Sequence, residues 1–326
     1  MSEINLVEAI NLALKHEMEH DSKVVVLGED VAVNGGVFRA TQGLLEKFGE
    51  DRVVDTPLAE VLIGSMSYGL AVSGYKPVAE IQFSGFIFST MDTVYNHASR
   101  IRNRSRGRMS CPMVLRSPSG GGIHAPEHHS ESPEAFFAHI PGIRVVYPSS
   151  PLRAYGLLLA AIRDSDPVIF LEPTRLYRLF KQEVQDDGEA MPLDVCFIDR
   201  EGTDITLVSW GAMMHETRLA ADKLAEEGIS AEVIDVATIK PLDMNTILKS
   251  VEKTGRCVII HEAPRCAGFG AEIAANLAEL GLMSLFAPVR RVTGYDVVMP
   301  LAKLEKTYLP SVERILTAAK ETITYE

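Results

Sequence analysis

Three polar segments of the chain carry side chains that could exchange protons. Residues 28–30 read Gly-Glu-Asp, residues 55–60 read Asp-Thr-Pro-Leu-Ala-Glu, and residues 117–133 contain three glycines and three histidines. The segments follow apolar runs that predict buried strands, and parallel sheets bind ligands at the carboxyl ends of their strands. Long loops without regular structure inside compact domains are often active-site elements. The pattern therefore predicts a site at such an edge.

Each segment also has an interpretation without chemistry. Glu60 falls in the first turn of a predicted helix, where the helix dipole alone favours a carboxylate, and Glu29 could cap a turn. His128 and His129 could be a metal pair, but adjacent side chains point apart and no third ligand has suitable spacing. Composition and spacing alone indicate only an enzyme-like α/β chain with a histidine-rich loop.

A nucleotide site within this chain alone is disfavoured. Residues 268–270 read Gly-Phe-Gly, but Ile273 stands in place of the third glycine of the dinucleotide fingerprint. This segment also follows a loop rather than the first strand of a domain. A nicotinamide-dependent dehydrogenase is therefore a weaker alternative.

Short apolar runs alternate with segments of helical period along the whole chain. Fully apolar strands separated by helices are typical of parallel sheets covered on both faces. The expected fold class is therefore α/β with two doubly wound domains, at residues 1–185 and 204–326, joined by a polar linker at 186–203. Helices are expected at 56–73, where a proline occupies the first turn, and at 89–104.

The composition excludes several classes of protein. The 326 residues include 32 Lys and Arg against 44 Asp and Glu, a net charge of −12 with histidine neutral. This acidic balance argues against a general binder of nucleic acid or of anionic membranes. No apolar run reaches the roughly 18 residues of a membrane span. The four cysteines form no Cys-x-x-Cys pair, which is typical of reduced thiols, and we expect a cytoplasmic protein.

Five separated motifs resemble one known family. They are Asp-Thr-Pro-Leu-Ala-Glu at 55–60, Phe-Ile-Phe-Ser-Thr-Met-Asp at 86–92, His-Ser-Glu-Ser-Pro-Glu-Ala-Phe-Phe at 129–137, Ala-Ile-Arg-Asp-Ser-Asp-Pro at 161–167 and Asp-Val-Ala-Thr-Ile-Lys-Pro-Leu-Asp at 235–243. The family is the beta subunit of the thiamine-dependent decarboxylating component of 2-oxo acid dehydrogenase complexes. The resemblance covers essentially the whole chain. It implies a thiamine pyrimidine-binding domain followed by a transketolase C-terminal-like domain.

The resemblance implies a site for thiamine diphosphate. Glu60 would hydrogen-bond the aminopyrimidine ring and, by sharing a proton with the ring nitrogen, drive the 4-amino group toward its imino form. Phe86 would stack on that ring, and Leu58 would contact the cofactor. Glu29 would lie near the cofactor, on a proton path between paired sites.

The resemblance also implies a histidine that acts in acyl transfer. His129 matches the family's active-site histidine, which is expected to orient or protonate groups as the acyl unit passes to lipoamide. His128 is one residue away and could share that role. The family usually carries Gln where this chain has Glu131. This difference places a carboxyl group near His129 and leaves the local hydrogen bonding open.

A structural potassium ion is implied as well. The family's site is built largely from backbone carbonyl groups, and the ion would order the histidine-rich loop. The matching positions are Met113, Ala161, Ile162, Asp164 and Asp166. Asp166 stands where Asn is frequent, and it preserves an oxygen ligand.

The sequence lacks the motif with which thiamine enzymes hold magnesium and the diphosphate. That motif is usually Gly-Asp-Gly followed further along by Asn, and Gly-Glu-Asp at 28–30 does not match it. The resemblance implies that an alpha subunit supplies this half, in a heterotetramer of two alpha and two beta chains, so that the beta chain alone is inactive. It also implies that the C-terminal domain docks a lipoyl-bearing acyltransferase core.

The expected activity is the oxidative decarboxylation of a 2-oxo acid with lipoamide as acceptor. Pyruvate is favoured because its complex is the most widespread, and branched-chain 2-oxo acids and acetoin are alternatives. A non-catalytic assembly subunit is the alternative from another class of protein.

Overall fold

A computed structural model of the chain describes residues 2–325. The strands are β1 (Ser2–Ile4), β2 (Val24–Gly28), β3 (Val53–Asp55), β4 (Lys76–Glu80), β5 (Val114–Ser119), β6 (Arg144–Val146), β7 (Val168–Pro173), β8 (Gln182–Val184), β9 (Phe197–Arg200), β10 (Ile205–Ser209), β11 (Ala231–Asp235), β12 (Thr238–Lys240), β13 (Cys257–Pro264) and β14 (Arg290–Gly294). The α-helices are α1 (Leu6–His20), α2 (Leu44–Phe48), α3 (Glu60–Val72), α4 (Ile101–Arg104), α5 (Glu134–Ala138), α6 (Pro151–Arg163), α7 (Met213–Glu226), α8 (Met244–Thr254), α9 (Gly270–Leu280), α10 (Ala302–Tyr308) and α11 (Val312–Ile323). Across this described range, no helix is both long enough and apolar enough to cross a membrane.

The first sheet has seven strands in the order β12-β6-β7-β5-β4-β2-β3. Its strands pair in parallel, except that β12 runs antiparallel to β6. Strands such as β2, with the sequence Val-Val-Val-Leu-Gly, are buried along their whole length. Such apolar strands are stable only where helices cover both faces of the sheet.

The second sheet has five strands in the order β14-β13-β10-β11-β9. Four of them run in parallel, and β9 pairs antiparallel with β11 at one edge. The two sheets confirm the expected α/β class with two doubly wound units. One apolar core joins them, since Val145 and Tyr147 of the first unit lie in the same cluster as Val208 and Trp210 of the second.

The segment 186–203, expected to be a linker, includes a strand of the second sheet. Strand β9 spans Phe197–Arg200, and two of its four residues are exposed. An edge strand that is half exposed has no continuous apolar run, which explains why its sequence reads as irregular. The limits of the two domains, 1–185 and 204–326, stay a prediction.

Helix α3 begins at Glu60, four residues later than expected. The chain instead stays beside β2 for one residue beyond β3, because the Thr56 N–H donates to the carbonyl oxygen of Gly28 at 2.9 Å. The Asp55 carboxylate accepts hydrogen bonds from the N–H groups of Ala32 and Val33 at 2.7 and 3.3 Å. A residue that precedes proline also disfavours helical dihedrals. Glu60 is therefore the first helical residue.

The helix expected over 89–104 is broken into short turns. Turns of 3₁₀ type span Phe86–Thr90 and Ala98–Arg100, a π turn spans Thr93–His97, and the longest α-helical piece is Ile101–Arg104. Side chains donate hydrogen bonds to backbone carbonyl groups that would accept from backbone N–H groups in a regular helix. Arg100 Nε donates to the carbonyl oxygen of Tyr95 at 2.9 Å. Such side-chain donors compete with the helical hydrogen-bond ladder.

Candidate active site

The carboxyl edge of the first sheet brings two of the three polar segments together. Strands β2 and β3 are adjacent, with Gly28 opposite Asp55. Gly28 has φ of 155°, and a Cβ there would stand 2.6 Å from the carbonyl oxygen of Glu80. Only glycine fits this turn. The turn leads directly into Glu29 at the edge.

Glu29 is buried at this edge without a full set of hydrogen bonds. Its side chain is 5% exposed, and Oε1 has no hydrogen-bond partner within residues 2–325. Burial and, next, the charge of Glu60 raise the pKa of Glu29. A buried acceptor left unpaired is unfavourable for the chain in isolation. It is available to a ligand.

Glu60 is half-buried at the N-terminus of α3, and its surroundings are apolar and exposed. Leu58 is 83% exposed, and Val61 and Leu62 on the first turn of the helix are also exposed. Isolated exposed apolar residues are common, but three within five positions around a carboxyl group form a patch. The side of the site that holds Glu60 thus opens onto an apolar surface.

Phe86 and the two histidines form an aromatic cluster. The ring of His129 lies 4.5 Å from that of Phe83 and 5.1 Å from that of Phe86, both edge to face. The ring of His128 lies 5.8 Å from that of Phe86. Gly85 permits this approach, because a Cβ there would overlap the carbonyl group of His128. The structure therefore places the expected ring and the expected histidine side by side.

We call residues 120–133 the histidine loop. Within it, Nδ1 of His129 lies 2.9 Å from the carbonyl oxygen of Glu127. A carbonyl oxygen only accepts, so Nδ1 carries the proton, and Nε2 is the nitrogen of the neutral ring that can take one up. His128 is exposed, with Nδ1 4.0 Å from the Glu131 carboxylate. Glu131 thus faces His128, and its backbone carbonyl accepts from the Gly120 N–H at 2.9 Å.

Helix α3 and the turn that holds Phe86 pack directly against each other. A Cβ on Gly64 would stand 3.1 Å from Cβ of Thr90, and the hydroxyl groups of Ser65 and Thr93 are 3.0 Å apart. This packing holds Glu60 and Phe86 on one edge of the sheet. A hydrogen-bonding acid and an aromatic plane at one edge fit a flat nitrogen heterocycle such as the pyrimidine of thiamine.

The five residues expected to hold potassium lie elsewhere, where α6 ends and β5 and β7 begin. The carboxylates of Asp164 and Asp166 bind Arg144 at 3.1 Å and Arg102 at 2.6 Å. The carbonyl oxygens of Met113 and Ala161 each accept one hydrogen bond. Those of Ile162 and Asp164 accept none in the part of the chain that the structure describes. Backbone oxygens, and not the carboxylates, are therefore the ligands open to a cation. Residues 2–325 contain no cluster of three or more His, Cys, Asp or Glu side chains placed to hold a metal.

Two carboxylates that contact the histidine loop could not be predicted from the sequence. Glu262 and Glu305, both from the second unit, accept hydrogen bonds from N–H groups of Gly121 and Gly122. These partners are 141 and 183 positions apart along the chain. The run of three glycines was the local signal, since glycine marks the close approach of another group. The glycines alone could not identify Glu262 and Glu305 as the residues that approach.

Comparison with known proteins identifies the class of this fold. The family model of the transketolase pyrimidine-binding domain matches residues 2–179, and that of the transketolase C-terminal domain matches residues 195–315. A solved structure described as a split-gene transketolase, inactive beta4 tetramer, superposes with a TM-score of 0.80 at 23% identity, over 99% of both chains. The protein therefore has the two-domain transketolase-type fold.

Full-length relatives identify the family within that class. Proteins named pyruvate dehydrogenase E1 component subunit beta are 48% identical in Bacillus subtilis (strain 168), 47% in Staphylococcus epidermidis and 46% in Staphylococcus aureus. Each alignment extends over 325 residues and covers 100% of both chains. The chain belongs to this family of pyruvate dehydrogenase E1 beta subunits. The resemblance drawn from the five motifs is confirmed.

Proposed function

We propose that the chain is the beta half of a thiamine-dependent oxidoreductase component that decarboxylates pyruvate and transfers the acetyl group to a lipoyl-bearing acyltransferase. The observation that carries this proposal is the carboxyl edge itself, where the buried, unpaired Oε1 of Glu29 follows β2 and the segment that ends at Glu60 follows the adjacent strand β3. The names of the full-length relatives support pyruvate as the substrate. Branched-chain 2-oxo acids and acetoin are the alternative substrates.

The residues at this edge suit thiamine diphosphate. When bound, this cofactor supplies a thiazolium carbon that adds to the 2-oxo acid and stabilises the charge left as carbon dioxide departs. The Glu60 carboxyl shares a proton with the pyrimidine ring nitrogen, and the Phe86 ring orients the pyrimidine. Leu58 covers the ring from the exposed side. Glu29, whose pKa burial raises, holds a proton beside Glu60 and exchanges it with that group.

His129 acts on the acyl group in this proposal. Its Nε2 is the nitrogen that accepts or returns a proton while the acyl unit passes to the lipoyl sulfur. The hydrogen bond of Nδ1 to Glu127 and the two phenylalanine rings fix the plane of the imidazole. His128 is more exposed and lies near Glu131. We therefore assign the proton transfer to His129 rather than to His128.

An alpha subunit completes the site in this proposal. It supplies the magnesium ion and the groups that hold the diphosphate, for which this sequence has no motif. The exposed apolar side chains of Leu58, Val61 and Leu62 around Glu60 suit a surface that a partner covers. The assembly is a heterotetramer of two alpha and two beta chains, and the beta chain alone is inactive.

Two further features complete the proposal. A potassium ion binds backbone oxygens near Ile162 and Asp164 and has a structural role. The four cysteines are free thiols, three of them buried, which suits the reducing cytoplasm where we place the protein.

The test is reconstitution with the cognate alpha subunit, thiamine diphosphate and magnesium. Pyruvate-dependent acetylation of a lipoyl domain should require both chains, and pyruvate should be turned over faster than 2-oxoisovalerate. Glu60→Gln should lower kcat by about 10²–10⁴-fold, the usual contribution of a general acid or base. Glu50→Gln, on an exposed residue of the same domain, is the matched control.

Two outcomes would contradict the proposal. Full activity of Glu60→Gln in the reconstituted complex would favour a non-catalytic assembly subunit. Turnover by the beta chain without its partner would show that the site is complete in one chain. Equal thermal unfolding of Glu60→Gln and the wild type would show that a loss of activity is not a loss of fold.

A further inference from the structure

The histidine loop is fastened at its start by carboxylates of the second unit. The N–H of Gly121 donates to Oε1 of Glu262 at 2.7 Å. The N–H of Gly122 donates to Oε1 of Glu305 at 2.7 Å, and that of His124 donates to Oε2 of Glu305 at 3.2 Å. Two side chains thus accept hydrogen bonds from three backbone N–H groups of the loop, those of Gly121, Gly122 and His124.

Both carboxylates are buried, which makes these hydrogen bonds strong. Glu262 is 4% exposed in β13, and Glu305 is 2% exposed in α10. A buried carboxylate must be stabilised by donors, and the N–H groups of the loop supply them for Glu305. For Glu262, Arg175 lies 3.9 Å away and adds a positive charge. Loop and carboxylates therefore stabilise each other.

The three glycines of the loop leave room for neighbouring side chains. A Cβ at Gly120 would overlap the Glu262 carboxylate, one at Gly121 would overlap Met299, and one at Gly122 would overlap Arg175. Gly120 and Gly122 also have φ of 87°, a conformation that other residues adopt at a cost. The glycine run lets the backbone lie flat against the second unit.

The far end of the loop is held mainly by the first unit. The carbonyl oxygen of Glu131 accepts hydrogen bonds from the Gly120 N–H at 2.9 Å and from Oγ of Ser84 at 2.8 Å, while Oγ of Ser132 donates a long bond of 3.4 Å to Oε1 of Glu262. The hydrogen bond and the ring contacts of His129 are with the loop and the first unit, through Glu127 and the phenylalanine rings. The path of the chain from residue 122 to residue 129 therefore depends on where the second unit fixes its beginning.

We propose that Glu305 and Glu262 are positioning residues that set the place of His129 for acyl transfer. This inference rests on the proposed function, in which His129 serves the lipoyl-dependent step. Neither carboxylate touches the reacting groups. Loss of the hydrogen bonds between these carboxylates and the loop should displace His129. Glu29, Glu60 and Phe86 belong to other elements and should keep their places. The step that uses His129 should suffer, and decarboxylation should continue.

The test compares the two half-reactions in the reconstituted complex of alpha and beta chains. Decarboxylation is followed with an artificial electron acceptor, and acyl transfer is followed as acetylation of a lipoyl domain. Glu305→Gln should lower kcat for lipoyl acetylation about tenfold or more, since small displacements of a positioned group cost up to about a hundredfold. Its decarboxylation rate should stay close to that of the wild type, because Glu29, Glu60 and Phe86 keep their places. Lys303→Ala, on an exposed residue of the same helix, is the control.

A second measurement tests the hydrogen bonds between the loop and the carboxylates without an activity assay. Hydrogen–deuterium exchange in the same complex should be faster at the amides of residues 121–124 in Glu305→Gln than in the wild type, and Glu305→Asp should restore part of the protection. Unchanged exchange in the loop would overturn the proposal, and so would an equal loss of both half-reactions that follows a lower melting temperature. If the wild-type complex processes no 2-oxo acid, the proposed function fails, and the exchange data still report on these hydrogen bonds.

Discussion

Replacing Glu134 by Gln should stabilise the chain strongly at pH 8 and only slightly at pH 5. Glu134 is the first residue of α5, directly after the histidine loop, and its side chain is 1% exposed. Oε1 accepts a hydrogen bond of 3.3 Å from Nε1 of Trp210, while Oε2 has no partner within residues 2–325. Burial with so few donors raises the pKa of Glu134 to about 7.

The magnitude follows from the proton equilibria of the two states. In the unfolded chain this carboxyl has its ordinary pKa of 4.5. As the pH rises above 4.5, the unfolded state releases the proton first, so the folded state binds more protons and the free energy of unfolding falls. Above pH 7 both states are ionised, and the accumulated loss is about 3 kcal/mol. Glutamine keeps an acceptor for Trp210 and avoids this loss.

The assay uses the tryptophan that touches the carboxyl group. Trp210 is the single tryptophan of the sequence, so its fluorescence should titrate near pH 7 in the wild type and not in Glu134→Gln. Urea unfolding should show the gain of about 3 kcal/mol at pH 8 and a gain of less than about 1 kcal/mol at pH 5. Glu279→Gln, on an exposed residue of α9, is the control. The reasoning is refuted if the stability difference is the same at both pH values.

Two other buried groups give predictions of the same kind. Burial lowers the pKa of His261, whose ring stacks on Trp210 at 5.2 Å, to about 3. As the pH falls below 6.5 the unfolded chain is protonated first, so the free energy of unfolding falls toward pH 3. His261→Phe should avoid about 3 kcal/mol of that loss at pH 4, measured by urea unfolding. Unchanged acid sensitivity would contradict this. Arg116 is buried between Glu80 at 3.0 Å and Glu172 at 2.7 Å, so Arg116→Met should cost about 3–5 kcal/mol by leaving two carboxylates unpaired. Thermal unfolding measures this, and adding Glu80→Gln with Glu172→Gln should restore most of it; no recovery would count against the electrostatic cause.

The sequence predicts the sheets well because their strands are buried on both faces. Val24–Gly28 is a continuous buried run of apolar residues and glycine, and Ile205–Ser209 and Ala231–Asp235 are buried along their whole length although each contains two polar residues. The errors lie where a distant group decides the local conformation. The start of α3 is delayed by bonds from residues 28–33, and β9 owes its place to its partner β11.

The candidate site also combines residues that local sequence identifies with contacts that distant residues make. Glu60, Phe86 and His129 lie in motifs that the sequence alone identifies, and the structure gathers Phe86 and His129 in one aromatic cluster. The contacts that hold them come from far along the chain, as with Glu262 and Glu305, so no local spacing could predict them. A glycine in the sequence indicates a close contact but does not identify the residue that makes it. Gly268 and Gly270, which resemble half of a nucleotide fingerprint, instead make room for the buried ring of His261.

Both parts of the site contain a buried carboxylate oxygen without a donor. At the histidine loop, Glu262 and Glu305 accept from three backbone N–H groups, but Oε2 of Glu262 has no hydrogen-bond partner within residues 2–325. At the carboxyl edge, Glu29 has such an oxygen, its pKa is raised by burial and by the charge of Glu60, and Leu58 is exposed. Each of these features is unfavourable for the isolated chain. A ring nitrogen that shares a proton and a partner that covers the apolar side chains would together remove the costs at the carboxyl edge, which supports the proposed cofactor and alpha subunit at that edge.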